Sequence, residues 1–219
     1  MKKIIAALAV VALLFSACQE KDDSFSQSNV LIDGVSLASP MKVDKQNQSI
    51  TILAKVNGKY LTENTRHAVI FKDGKFGDKP VFVAFQNQND FLKAMLDIGG
   101  VAGNNMTKEN GQTTFVEGQK ISMSVTWEGA PKYYDINDVI VDSNKKRIDL
   151  RFGGNKENAK KLNTGCITCL DSCSVGIISN HAYTYGAVEL RKEVSFHGNA
   201  NILPKDGTLV AIKYKLINE

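Results

Sequence analysis

The chain has 219 residues, 43% of them hydrophobic, with 27 basic and 23 acidic side chains. A chain of this length can bury a substantial core in one large domain or two small ones. The formal charge of +4 is small and its carriers are interspersed, as in Lys72-Asp73-Gly74-Lys75 and Lys156-Glu157. A solvated mixed surface follows, with no electrostatic case for nucleic acid as a partner.

The first residues read as an export signal. Lys2 and Lys3 form a positive start and residues 4–15 are an unbroken apolar run, long enough for a signal peptide and too short to span a bilayer. Leu14-Phe15-Ser16-Ala17-Cys18 resembles a bacterial lipobox, in which small residues precede a cysteine that receives lipid. The expectation is a signal peptide at 1–17, a lipid on Cys18 and a polar tether to residue 29, leaving a domain at 30–219. No later stretch reaches spanning length, so the chain is expected to be anchored to the cell envelope and extracytoplasmic, its membrane contact made by that lipid. A tether of this composition reaches roughly 15–20 Å. Within it, Lys21-Asp22-Asp23 resembles a sorting signal that some Gram-negative bacteria use for surface lipoproteins.

The remainder carries strand signatures. Ser49–Val56 is β-rich and ends at Asn57-Gly58, a strong turn pair. His67–Phe71 and residues 80–85 are apolar β-rich runs, and the Gly-containing stretch 72–79 between them suits a hairpin loop. Residues 90–98 predict a helix: Asn89 or Asp90 can cap it, Phe91, Leu92, Met95 and Leu96 share a face, and Gly99-Gly100 stops it. Ile121, Met123, Val125 and Trp127 alternate with polar residues, as do Val210, Ile212, Tyr214 and Leu216 near the end. That period of two marks half-buried strands. A second short helix is expected over 155–162. Strand and helix do not alternate regularly and no long repeat appears. The predicted class is a single β-rich α+β domain, mostly antiparallel, with two short helices.

One stretch looks like chemistry. Cys166, Cys169 and Cys173 lie within eight residues, spaced C-x2-C-x3-C, and are the only cysteines besides Cys18. In an oxidising compartment an odd count fits one structural disulfide plus a leftover thiol. Alternatively, Cys-Ile-Thr-Cys is a C-x-x-C that can exchange disulfides if a thiolate is stabilised, with Cys173 as a third partner. A soft metal is another use: three thiolates and a histidine would make a Cys3His zinc site, or a thiolate site for copper(I). His181, eight residues beyond Cys173, and His67 are the candidate histidines. The first two sulfurs can meet within a turn, Gly165 lets the backbone close around them, and one helical turn can return Cys173 to the same face.

The segments Thr65-Arg66-His67-Ala68-Val69, Gly103-Asn104-Asn105, Val125-Thr126-Trp127, Arg151-Phe152-Gly153-Gly154-Asn155, residues 163–173 and Tyr185-Gly186-Ala187-Val188-Glu189 resemble the YdjY-like domain. The resemblance runs from about Gly34 to the C-terminus, and the cysteine block is its most specific part. Members are often labelled ferredoxin-like, which implies an iron–sulfur cluster. Cys166, Cys169 and Cys173 match the second to fourth cysteines of the C-x2-C-x2-C-x3-C-P run. The first would fall at Asn163, which is no thiolate, and Ser174 stands in place of the proline. A cluster would need an outside ligand such as His181 or His67.

Other features are weaker. Gly153-Gly154-Asn155 opens a short helix but lacks phosphate-loop spacing. Arg66-His67 opens a strand and can face the cysteine segment. No nucleophile elbow, H-E-x-x-H or outstanding carboxylate pair is present, so no enzymatic reaction is assigned. Two classes remain: a redox, electron-transfer or metal-handling protein built on Cys166, Cys169 and Cys173, holding a thiolate-bound metal (zinc, copper or an iron–sulfur cluster) or none and serving a redox or metal-transfer partner protein; or a non-catalytic binding lipoprotein whose cysteines staple a loop.

Overall fold

The structure, a computed structural model, describes residues 30–218. The expectations for the export signal, Cys18 and the tether fall outside that range. Twelve strands run in chain order: β1 (Met41–Asp44), β2 (Ser49–Val56), β3 (His67–Phe71), β4 (Phe82–Ala84), β5 (Lys120–Trp127), β6 (Tyr134–Asp135), β7 (Ile140–Asp142), β8 (Leu150–Phe152), β9 (Cys166–Cys169), β10 (Ile178–Asn180), β11 (Phe196–Gly198) and β12 (Leu209–Leu216). Three α-helices intervene among the described residues, α1 (Gln88–Asp97), α2 (Ile136–Val139) and α3 (Lys156–Leu162), with one 3-10 helix at Gly58–Leu61.

Eight of the strands close on themselves in the order β2-β12-β5-β8-β10-β9-β3-β4, with β4 returning to β2. The expected α+β class with mostly antiparallel strands is therefore corrected: the architecture is a closed mixed β-barrel, and its helices are few and short. Closure is possible because β2 is long. Its first half pairs with β1 and its second half with β4, while β12 runs along its other edge. An eight-stranded barrel has an interior just wide enough to be filled by side chains. Ile50, Ile52, Val125, Ile212, Tyr214 and their neighbours fill it here.

The alternation near the C-terminus has the expected outcome. Val210, Ile212, Tyr214 and Leu216 point into the barrel. Leu209 and Ala211 face outward but are covered by Ile32 and Val35, together with Leu53. The helix α1 starts two residues before the expected position. Asn87 accepts a hydrogen bond from the Asn89 N–H at 2.8 Å and so caps it. Phe91 packs edge-on against Tyr214 with ring centroids 4.9 Å apart, which ties the helix to the barrel core.

The hairpin expected over 67–85 does not form. β3 and β4 are parallel, with Val69 opposite Phe82 and Phe71 opposite Ala84. β9 and β10 are parallel as well, with Thr168 opposite Ile178 and Cys169 opposite Ser179. A parallel pair cannot be joined by a tight turn, because the chain must travel back along the strand before the second one begins. Residues 72–81 and 170–177 are the two returning segments. Both lie over the outside of the barrel at β3 and β9; Cys166 and Cys169 sit beneath them, and Cys173 belongs to the second.

Candidate functional site

Successive residues of a regular strand point to opposite faces, so Cys166 and Cys169 on β9 would be expected to diverge. They do not. The β3–β9 ladder shifts register twice, between His67 and Val69 and between Val69 and Ile70. Each strand thereby turns two consecutive residues inward: Ala68 and Val69 on β3, Ile167 and Thr168 on β9. Thr168 is tied to the core by its hydroxyl contact with Tyr214 at 2.8 Å. The flanking residues then share the outer face, where Ile70, Cys166 and Cys169 cluster with Cys173. The three-residue spacing is thus that of a bulged strand rather than of a turn or helix.

Ligand-type atoms of His67, Cys166 and Cys169 all lie within 4.8 Å of one another. His67 Nδ1 is 3.9 Å from Cys166 Sγ. All three side chains are buried, and Cys169 is completely so. Cys173 stands outside this group, at the far side of Cys169, and its sulfur accepts the Gly176 N–H at 3.4 Å. The three thiols are free. His181 is not brought to the cluster: its Nδ1 is 2.6 Å from the Val116 carbonyl oxygen, and its ring packs beside Phe115. Asn163 ends α3 and accepts from the Gln88 side chain at 2.9 Å.

The two returning segments form the cover. Phe76 stacks on His67 with ring centroids 6.0 Å apart, and Lys75 and Lys79 flank its ring. Val175 packs against the sulfurs from the other segment. Each cover needs glycine. A side chain at Gly74 would meet the Gly165 backbone at 2.4 Å, and one at Gly176 would meet Cys169 Sγ at 2.8 Å and Ser179 Oγ at 3.0 Å. Asn155 fixes the second cover: its side-chain amide donates to the carbonyls of Cys173 (2.9 Å) and Gly176 (2.8 Å).

Beside the sulfurs lies a buried ion pair. Arg66 Nε donates to Asp171 at 3.0 Å, the guanidinium rests 4.5 Å over the Tyr185 ring, and the Gly186 N–H donates to the second Asp171 oxygen at 3.0 Å. Burial works against the Arg66 charge, yet the negative charges of Cys173 and Asp171 hold its pKa well above its ordinary value. Burial also raises the Asp171 carboxyl, and Arg66 offsets only part of that.

The thiols differ in character. Hydrogen bonds to Cys166 and Cys173 keep the proton on Cys169 and push its pKa well above the usual thiol value. The same bond from Cys169 holds Cys166 well below it against the effect of burial, with His67 adding to the lowering. Cys173 is lowered to about 6, first by the Cys169 hydrogen bond, against burial, with the Arg66 charge adding to it. Two thiolate-prone sulfurs thus flank one held protonated. Such thiolates are the metal-binding and nucleophilic form of cysteine.

The sequence reading missed Asp171 and Asn155 as parts of this site. Asp171 stands inside the cysteine segment, between Cys169 and Cys173, and a carboxylate among clustered apolar residues and thiols was the available signal for a buried counter-charge.

A closed mixed barrel with a buried histidine–thiol cluster on its outer wall defines the class of protein. The YdjY domain family matches residues 41–215, and the chain belongs to that family. It is 46% identical over 216 residues to the protein of Escherichia coli (strain K12) described as uncharacterized protein YdjY, covering 98% of this chain and 95% of that one. No solved structure matches. Among the described residues, no helix is long and apolar enough to cross a membrane.

Proposed function

We propose that this chain is an extracytoplasmic protein, lipid-anchored through Cys18, whose cysteine segment is a thiolate centre for handling metal or electrons at the membrane face. The observation that carries the reading is the convergence of His67, Cys166 and Cys169 within 4.8 Å beneath an apolar cover. A site that served only to fill space would not need a buried arginine–carboxylate pair beside it, since burying such a pair costs desolvation that apolar packing avoids. The partner is a redox or metal-transfer protein, and the two lysines at the cover, Lys75 and Lys79, give an acidic partner a place to approach.

The test compares Cys166→Ser, Cys169→Ser and Cys173→Ser for metal content, thiol reactivity and melting temperature. The reading expects changed metal binding or thiol reactivity in folded variants. A fall in melting temperature confined to two of them, with no metal and an inert third thiol, would leave a structural staple instead. For the anchor, Cys18→Ser is expected to release the protein from the detergent phase, and retained acyl chains in that variant would refute it.

A further inference from the structure

We propose that the ion this centre takes is copper(I), held in three-coordinate geometry by Cys166 Sγ, Cys169 Sγ and His67 Nδ1, with Cys173 outside the coordination sphere. The inference rests on the metal-handling reading and names its substrate.

The argument is one of donor number and softness. The group within mutual reach offers two sulfurs and one imidazole nitrogen, and no carboxylate belongs to it. The nearby carboxylate, Asp171, is occupied by Arg66 and the Gly186 N–H. Thiolate sulfur selects soft ions, copper(I) and zinc among them. Zinc with three protein ligands keeps a water or substrate in the fourth position, and structural zinc takes four protein ligands. Neither is provided. Cys173 lies outside the 4.8 Å group, and the space over the donors is roofed by Ile70, Phe76 and Val175, none of which can hydrogen-bond a water. Copper(I), a filled-shell monovalent ion, is satisfied by two or three soft donors and needs no water.

A second observation points the same way. Ser179 Oγ is fully buried and has no hydrogen-bond partner. The space left by the missing side chain of Gly176 adjoins both this oxygen and Cys169 Sγ. The Ser179 hydroxyl is therefore a spare donor on the far side of the Gly176 gap, free to turn toward a metal-bound Cys169 thiolate. Outer donors of this kind set the affinity of a metal site, typically by 10–100-fold.

Reduced, metal-free protein is titrated without oxygen against copper(I) bicinchoninate and, separately, against zinc with a chromogenic chelator. X-ray absorption then counts the scatterers around bound copper in the wild-type chain, which needs no variant to fold. The expected result is one copper per chain with two sulfurs and one nitrogen, and zinc unable to displace it. Cys173→Ser should bind copper(I) within about threefold of wild type, while Ser179→Ala should lose roughly tenfold. Tighter binding of zinc, or three sulfurs around copper, would overturn the inference and leave the metal-handling reading intact. Binding of neither ion would defeat that reading together with the inference.

Discussion

The two sides of the barrel obey different rules. Along β2, β12 and β5 the ladders are antiparallel and in continuous register, seven residue pairs on each side of β12. Every second side chain faces the core, and outward-facing Leu53, Leu209 and Ala211 are covered by Ile32 and Val35. Along β4, β3, β9 and β10 the strands are short, two of the three pairings are parallel, and the remaining one shifts register twice. The regular side is where the apolar core is longest and most continuous. The irregular side turns cysteines and a histidine outward together, and its parallel pairings force the chain to return over them. The candidate site lies where the sheet is least regular, and the regular side holds the barrel closed around it.

The largest effect should come from breaking the regular side. Ile212→Asp puts an unpaired charge in the filled barrel and should cost about 5 kcal/mol in denaturant unfolding, enough to lose the fold. Lys215→Asp, three residues on and exposed, should stay within about 0.5 kcal/mol. Comparable losses from the two would mean that the alternation does not hold that side together. Lys213 would be a poor control despite facing out, because its ammonium pairs with Asp33 at 2.8 Å.

On the irregular side the corresponding break is Arg66→Leu. It strands the Asp171 carboxylate, which is fully buried, and should cost about 3–5 kcal/mol. Asp171→Asn in the same background should recover part of the loss. No recovery would show that the pair is not the source of the cost.

The thiols give the irregular side a pH dependence of its own. Cys173 is lowered to about 6 from an ordinary 9.0. The folded protein therefore binds fewer protons than the unfolded chain between those values. The stability this thiolate contributes is complete above pH 9 and is lost as pH falls through about 6. In reduced, metal-free protein, the melting temperature of wild type should fall towards that of Cys173→Ser over this window. A constant difference between the two would contradict the assignment.

The smallest change in stability is expected from the cover. Phe76 is only half-buried, so Phe76→Ala should cost about 1–2 kcal/mol. It should nevertheless speed alkylation of Cys166 well beyond what that loss of stability explains. Unchanged alkylation would mean the cover is not what shields the sulfurs.

The same contrast decides what could be read from the sequence. The alternation at 121–127 and 210–216 is a direct record of which face is buried, and it gave the strands of the regular side. The cap of α1 was legible within two residues, because Asn87, like Asn89, is a capping residue; of its expected apolar face, Phe91, Leu92 and Met95 are buried but Leu96 is exposed. Barrel closure was not legible, since it depends on β2 pairing with two strands along one edge, and pairing partners leave no local pattern. The parallel pairs were missed for a similar reason. Gly74 and Gly77 between two apolar runs look like a hairpin loop, whereas Gly74 is there to pass against Gly165. The cysteines themselves stood out, but their spacing implied a turn or helix. Only the register shifts opposite His67 and Val69 make a strand present Cys166 and Cys169 together.

The most direct test of the central claim is metal analysis and a thiol count on protein purified without oxygen. The account predicts close to one thiophilic metal ion per chain, with Cys166 and Cys169 protected from alkylation until a chelator removes it. A metal-free protein that takes up none on reconstitution, with two of the three cysteines joined in a disulfide, would contradict it.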